Sequence, residues 1–410
     1  MTQTLPTSAL ASRVLLPFAA GYFLSYLYRT VNAVLAPEIA RGIELDAGDI
    51  GLMTGVYFVT FGAFQLPLGI LLDRFGPRRV EALLLVFAAL GAATFALADS
   101  VPVLVAGRAL VGLGVASCLM APLKANVQWF ERARLPLMNG IILGAGGLGA
   151  VAATVPVQAA LTVLDWRGVY AGLAALTLAA AALLWRTVPD KPMPAGGGSL
   201  AEQMADVVEI FRNRLFWRIA PISAVSMGSF MAIQGLWAGP WLRDVAGLSP
   251  DAAAFGLTVM AVAMALGYLS MGAIAERLAR FGISTVAVGG VGMTVFALAT
   301  LAMALGWSGA PLLLAAIYGF SGTSSAVNYA VLSQTFPLRV AGRVNTSLNL
   351  TMFLTAFVLQ WGLGGVIRLW PAVEGRWPVE AYGVALAIPA VLQVLGLLWF
   401  IPAARTARPG

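Results

Sequence analysis

The stretch Gly69-Ile-Leu-Leu-Asp73-Arg74-Phe-Gly76-Pro-Arg78-Arg79 decides the fold of this chain. It is a short charged hairpin set between two long apolar runs. A weaker echo follows half a chain later, Gly272-Ala-Ile-Ala-Glu276-Arg277-Leu-Ala-Arg280-Phe-Gly282. In both copies a glycine is followed four residues on by an acid and five on by arginine. A second echo pairs Trp129-Phe130, followed by Asn139 and Gly140, with Thr335-Phe336, followed by Asn345 and Thr346. Two repeats in nearly one register, both at polar turns of an oily chain, predict a duplicated membrane protein.

Working outward, the 410 residues are 60% hydrophobic and only 10% charged. Soluble proteins carry roughly 25% charged residues, so lipid must solvate most of this chain. A crossing helix needs about 20 apolar residues. Twelve such stretches lie near 14–36, 49–72, 80–98, 102–128, 135–163, 168–188, 217–241, 252–275, 284–306, 310–335, 343–369 and 381–402. They are rich in Leu, Ala and Gly and show no two-residue alternation, which argues against a β-barrel. The expected fold is an all-α membrane protein of twelve helices in two pseudo-symmetric six-helix bundles, residues 1–188 and 215–410. Residues 189–214 join them, first as a Pro- and Gly-rich linker, then as a short amphipathic helix on the inner membrane surface.

The formal charge of +7 could suggest nucleic acid, but its distribution does not. With a cytoplasmic N-terminus, Arg41, Arg167, Arg243, Arg368 and Arg376 fall outside, and Arg29, Arg108 and Lys124 fall within spans. All other Lys and Arg lie in or beside inside segments. That asymmetry places both termini in the cytoplasm of a bacterial inner-type plasma membrane and removes the need for a polyanionic partner. The apolar run after the polar first dozen residues is too long for a signal peptide and should remain as span one. The one cysteine, Cys118, lies in a helix and rules out an intramolecular disulfide. Histidine is absent, and no metal-ligand cluster or phosphate-cradling loop is found, so neither an enzyme nor a cofactor is expected.

Gly69-x-x-x-Asp73-Arg74-x-Gly76-x-Arg78-Arg79, between spans two and three, resembles a signature of the major facilitator superfamily. Arg108-x-x-x-Gly112-x-Gly114 on span four is similar to that superfamily's second signature. The resemblance covers essentially the whole chain. It implies two bundles around a midplane cavity, alternating access and no cofactor. Gly21-Tyr22-x-x-x-Tyr26-x-x-Arg29-x-x-Asn32 is similar to the pattern of its organic-anion and organophosphate transporters. The Gly-Pro-Gly pattern of many drug/proton antiporters is not clearly present in span five, where Pro156 lies beyond the glycines Gly140, Gly144, Gly146, Gly147 and Gly149. Those glycines read as close helix packing in lipid.

Three cations sit at membrane depth. A charge at the bilayer centre costs about 2.5–3.5 kcal/mol on insertion scales, so Arg29 should face protein or a wet cavity. There its guanidinium could clamp a carboxylate or phosphate; the competing role is a bond to helix carbonyls or to Glu38. Arg108 reads either as a coupling group or as a packing group that orients spans one and four. Lys124 either snorkels to the inner headgroups or adds a second cationic contact, about 24 Å from Arg108 along a helix. Tyr26, Tyr57, Gln234, Trp237, Asn328, Tyr329 and Gln360 complete the candidate substrate set. Gly69, Asp73, Arg74, Arg78, Arg79, Glu276 and Arg277 form candidate inner gates, with Glu131 as a partner for Arg78 or Arg79.

The acids Glu38, Asp49, Asp73, Glu81, Asp99, Asp165 and Glu276 read as span-end groups, leaving no midplane carboxylate. The expected function is therefore a monomeric secondary transporter for a small organic anion. A coupling proton or sodium ion is open, with Glu38 or Asp49 as the fallback proton site. A carrier of lipophilic drugs, siderophores or lysolipids is the first alternative, and a non-transporting membrane sensor or scaffold the second.

Overall fold

Long apolar helices joined by short turns make up the computed structural model, which describes residues 11–131, 134–189, 200–329, 332, 336 and 341–406. Among the described residues, eight helices are long and apolar enough to cross a membrane, and one of them, Ala47–Ala96, holds two spans. Large apolar side chains such as Leu97, Val163, Leu395 and Trp399 lie on its exterior, as a lipid-solvated surface requires.

Span one comprises Leu16–Thr30 and Asn32–Ile43. Ala47–Ala96 turns at Gly76, whose φ of 79° is open to glycine and strained for other residues. Span two is therefore 47–75 and span three 77–96. Span four is Val101–Gly114 plus Met120–Trp129, span five Leu135–Ala152 plus Val155–Ala160, and span six Trp166–Thr187. The amphipathic segment folds as the helix Leu200–Arg212, while 190–199 of the linker lie outside the described residues.

Span seven runs Phe216–Ala232, Ile233–Trp237 and Ala238–Asp244. Spans eight and nine are Pro250–Ala279 and Thr285–Ala304. Span ten begins Pro311–Ser321 and tightens to a 3₁₀ turn at Gly322–Ala326. Spans eleven and twelve are Ala341–Ile367 and Val379–Thr406.

The duplication is visible in the backbone. Gly76 and Gly282 both have positive φ, 79° and 76°. They are 206 residues apart, the offset of the Trp129 and Thr335 echo. The second turn is thus three residues longer than the Gly69–Gly272 match implies. Interruptions also recur in spans one, four, seven and ten. Those of four and seven lie a turn before Pro122 and Pro240, and that of span five lies before Pro156. Proline has no N–H for the carbonyl four residues back, so the helix loosens there. In span seven it widens, with the Ala238 N–H reaching Ile233 O. Pro389 leaves Val379–Thr406 unbroken.

Contacts group the chain into two compact units, Met1–Val31 with Val59–Leu200, and Asn32–Phe58 with Ala201–Gly410. The hairpin 32–58 therefore packs with the second half of the sequence. Gly239 lies against the Ala33 carbonyl and Gly364 against that of Ala47, so closely that a Cβ on either would overlap oxygen. The Ala33 carbonyl is the one that Pro37 cannot satisfy. In the first unit, Gly146 and Gly149 of span five bring it onto Tyr22, Phe23 and Tyr26 of span one, while a Cβ at Gly140 or Gly144 would meet nothing.

Candidate substrate and ion sites

Arg29 ends the first helix of span one and is 8% exposed. Its Cζ lies 4.6 Å from the Tyr26 ring centroid and 5.3 Å from that of Phe61. Cation–π contact lowers the cost of holding a guanidinium out of water. Gly146 meets Tyr22 and Tyr26 edge-on, which fixes the Tyr26 ring under the guanidinium. Tyr26 and Arg29, one helical turn apart, thus share a face of span one. Glu38, the alternative partner, is tied to Arg41.

Arg108 has a different environment. It is 0% exposed and donates Nη1 to the Tyr28 carbonyl at 2.9 Å and to the Tyr170 hydroxyl at 3.4 Å. Tyr28 in turn bonds Thr177 at 2.9 Å, and Tyr170 stacks on Phe95 at 4.0 Å. The side chain ties spans one, four and six together, the packing role among its two readings. Lys124 forms an ion pair with Asp73, so a candidate substrate residue and a candidate gate acid are partners. The exposures of 22% and 45% leave that pair partly in solvent.

Around the Gly69–Arg79 turn, Arg78 donates Nε and Nη2 to the Trp185 carbonyl at 3.0 and 2.6 Å and stacks its Cζ 5.1 Å from the Trp185 ring. It satisfies a carbonyl at the end of span six, where a cation suits the helix dipole. Glu131 pairs with Arg134 at 3.9 Å, and Arg78 is engaged at Trp185 instead. Arg74 lies over Phe75, and Gly69, Arg74 and Arg79 are exposed. In the second turn, Glu276 bonds Arg280 at 3.0 Å, and Arg277 is exposed.

In the second unit, Trp237 donates Nε1 to the Gln360 carbonyl at 3.0 Å, so these two candidates meet. The Gln360 amide is buried with no hydrogen bond. Gln234 reaches the Met264 sulfur at 3.4 Å from the widened turn of span seven. Asn328 donates to Ser223 at 2.7 Å, and Tyr329 bonds Asn349. Tyr57 is buried edge-on against Phe58. The candidate residues of this unit thus divide among separate contacts.

Two groups escaped the sequence reading. Phe61 covers Arg29, and nothing in an apolar span distinguishes it from any other phenylalanine. The span-end reading of Glu81 is corrected: it is 0% exposed, with both carboxylate oxygens buried beside the Cys118 thiol. Its signal was the apolar flanks in Val80-Glu81-Ala82-Leu83. The fallback acids are placed otherwise. Asp49 and Asp46 cap the start of span two by exchanging backbone N–H bonds at 2.7 and 3.4 Å, and Glu38 is at the surface with Arg41.

A family model described as Major Facilitator Superfamily matches residues 18–360. A chloramphenicol resistance protein of Pseudomonas aeruginosa is 28% identical over 373 residues, covering 88% of this chain and 84% of that one. A probable sulfoacetate transporter of Cupriavidus necator is 24% identical over 271 residues, 63% of each chain. The structure is similar to that of a bacterial homologue of the human lysosomal transporter Spinster, with a TM-score of 0.75 at 19% identity and 98% of each chain covered.

Proposed function

Because this chain belongs to the Major Facilitator Superfamily, and is a multi-pass secondary transporter rather than an enzyme, we propose that its cargo is a small organic anion of carboxylate or phosphate type. It moves this cargo by alternating access across the plasma membrane, with both termini cytoplasmic as the Lys and Arg distribution favours. The six-span halves 1–188 and 215–410 are its working parts. The observation that carries this reading is Arg29, a permanently charged group held at membrane depth by the Tyr26 and Phe61 rings. Its planar fork suits two parallel bonds to a carboxylate or phosphate. Loading requires the aromatic cover to yield, since Arg29 is only 8% exposed. The Asp73 and Glu276 turns act as inner gates, and Lys124 serves that gate through Asp73. The relative named for sulfoacetate, itself a dianion, supports the anionic class.

Counterflow in proteoliposomes tests this with sulfoacetate as probe, alongside a thermal-shift panel of carboxylates and phosphates. Arg29→Gln should lose about ten- to hundredfold in uptake, the worth of one charge-assisted hydrogen bond, while the melting temperature holds. Wild-type uptake in Arg29→Gln overturns the reading. The relative named for chloramphenicol resistance favours a second one, a neutral lipophilic cargo. Stabilisation by chloramphenicol and not by any anion would select it.

A further inference from the structure

We propose that the junction between the helix Leu200–Arg212 and span seven binds an anionic phospholipid, with its phosphate at Arg212, Arg214 and Arg218 and its acyl chains along Trp217 and span twelve. This holds whatever the cargo is; only the choice of the inner leaflet rests on the orientation read above.

The junction begins as a helix end. The Asn213 N–H closes the last turn on the Ile210 carbonyl at 3.0 Å, and the Asn213 side chain accepts from the Leu215 N–H at 2.8 Å. A side-chain turn of this kind fixes the direction in which the chain leaves the helix. Val207 and Ile210 are buried, so one face of this helix is held by protein. Trp217 folds back over its end. The Trp217 ring lies 6.0 Å from that of Phe211, and its Nε1 donates to the Phe211 carbonyl at 2.7 Å. That carbonyl is among the last four of the helix, which have no intrahelical partner.

A second indole completes the clamp. In a regular helix the Trp217 carbonyl would bond the N–H of residue 221, but that residue is proline. Trp399 of span twelve donates Nε1 to this carbonyl at 2.9 Å instead. Both tryptophans thus commit their one donor to backbone and leave their rings 43% and 60% exposed. Indoles placed so at a span end lie at headgroup level. Leu395 and Leu398, three and four residues apart from Trp399 or each other, carry the same exposed apolar face along span twelve.

The charges gather on the polar side of this platform. Arg212 follows Phe211, Arg214 lies in the turn, and Arg218 follows Trp217. The contact between the Phe211 and Trp217 rings therefore holds the three arginines at one short junction. All three are exposed, and Glu209, a turn before Arg212, leaves the patch net positive among the described side chains. A guanidinium fork suits phosphate oxygens, and basic residues beside an interfacial helix attract anionic lipid. A free phosphate would meet only the arginines, whereas a phospholipid also covers the exposed indoles and leucines.

Native mass spectrometry of the purified full-length protein, delipidated and titrated with phosphatidylglycerol or phosphatidylcholine, tests this. One phosphatidylglycerol should be retained at concentrations where phosphatidylcholine is not, and equal retention of the two overturns the proposal. Arg212→Gln, Arg214→Gln and Arg218→Gln should each weaken binding about fivefold, and the triple variant about a hundredfold. Arg186→Gln, at an equally exposed cation ending span six, should bind as the wild type does, and so should Arg29→Gln. A comparable loss in Arg186→Gln would mean that the cations act as a diffuse field. A loss in Arg29→Gln would put the lipid at the proposed cargo site. Either result overturns the assignment. Excess inorganic phosphate should leave the lipid in place, and displacement by phosphate alone overturns the lipid as occupant. Should the triple variant fail to fold, the single variants carry the test, since wild-type retention in all three sinks the site.

Discussion

The two compact units bury different chemistry. Among the described residues, the buried charged side chains Arg29, Glu81 and Arg108 all belong to the unit built from the first part of the chain. The other unit buries neutral polar groups instead: Ser223, Ser226, Ser229, Gln234, Asn328, Gln360 and Gln393. Duplication supplied two similar scaffolds, with matching turn glycines at 76 and 282. The chemistry placed inside them diverged. A buried ion costs several kcal/mol unless it is paired or neutralised, whereas a buried amide or hydroxyl costs about 1–3 kcal/mol. Among the described residues, the buried charges therefore lie in one unit, while the other buries neutral hydrogen-bonding groups and keeps its charges, such as Asp244 and Glu276, partly exposed.

This contrast can be broken by substitution. The largest effect is expected at Arg108. Arg108→Met should destabilise the protein by about 2–4 kcal/mol, because the Tyr28 carbonyl and Tyr170 lose their donor. Thermal unfolding in detergent measures it, and an unshifted transition would show that Arg108 is not a structural clamp. Arg29→Gln should leave that transition in place, which separates the two arginines by stability against transport.

The second unit should answer in the opposite direction. The Gln393 amide is fully buried and makes no hydrogen bond. Gln393→Met should leave the protein as stable or raise its stability by about 1 kcal/mol, since an unpaired amide is removed at little change in volume. A loss of more than that would mean that the amide has a partner and that the neutral core is more specific than it looks. The smallest effect is expected at Lys124. Its pair with Asp73 is partly exposed, so Lys124→Met should change stability by less than about 1 kcal/mol. A larger loss in the same unfolding assay would promote this pair from turn decoration to fold determinant.

The amino-acid sequence by itself determined the membrane class, the twelve spans, the duplication and the charged turn with its echo. Those features follow from hydropathy, length and residue order, which are properties of a line. Of the prolines 122, 156, 240 and 389, expected to kink or end helices, the first three stand where helices loosen and Pro389 does not. That Arg29, Arg108 and Lys124 stand within helical spans was legible too, because it is position along the chain. What each charge meets was not. Arg29 against aromatic faces, Arg108 on a carbonyl of span one, Lys124 on Asp73 and Glu81 sealed behind Gly21 depend on which face of each helix turns to which neighbour. A helix presents a new face every 100° or so, and only packing among several helices chooses between them. That choice turned Glu81 from a span-end acid into a buried one, and it set Arg108 on a backbone carbonyl and Arg29 against aromatic rings.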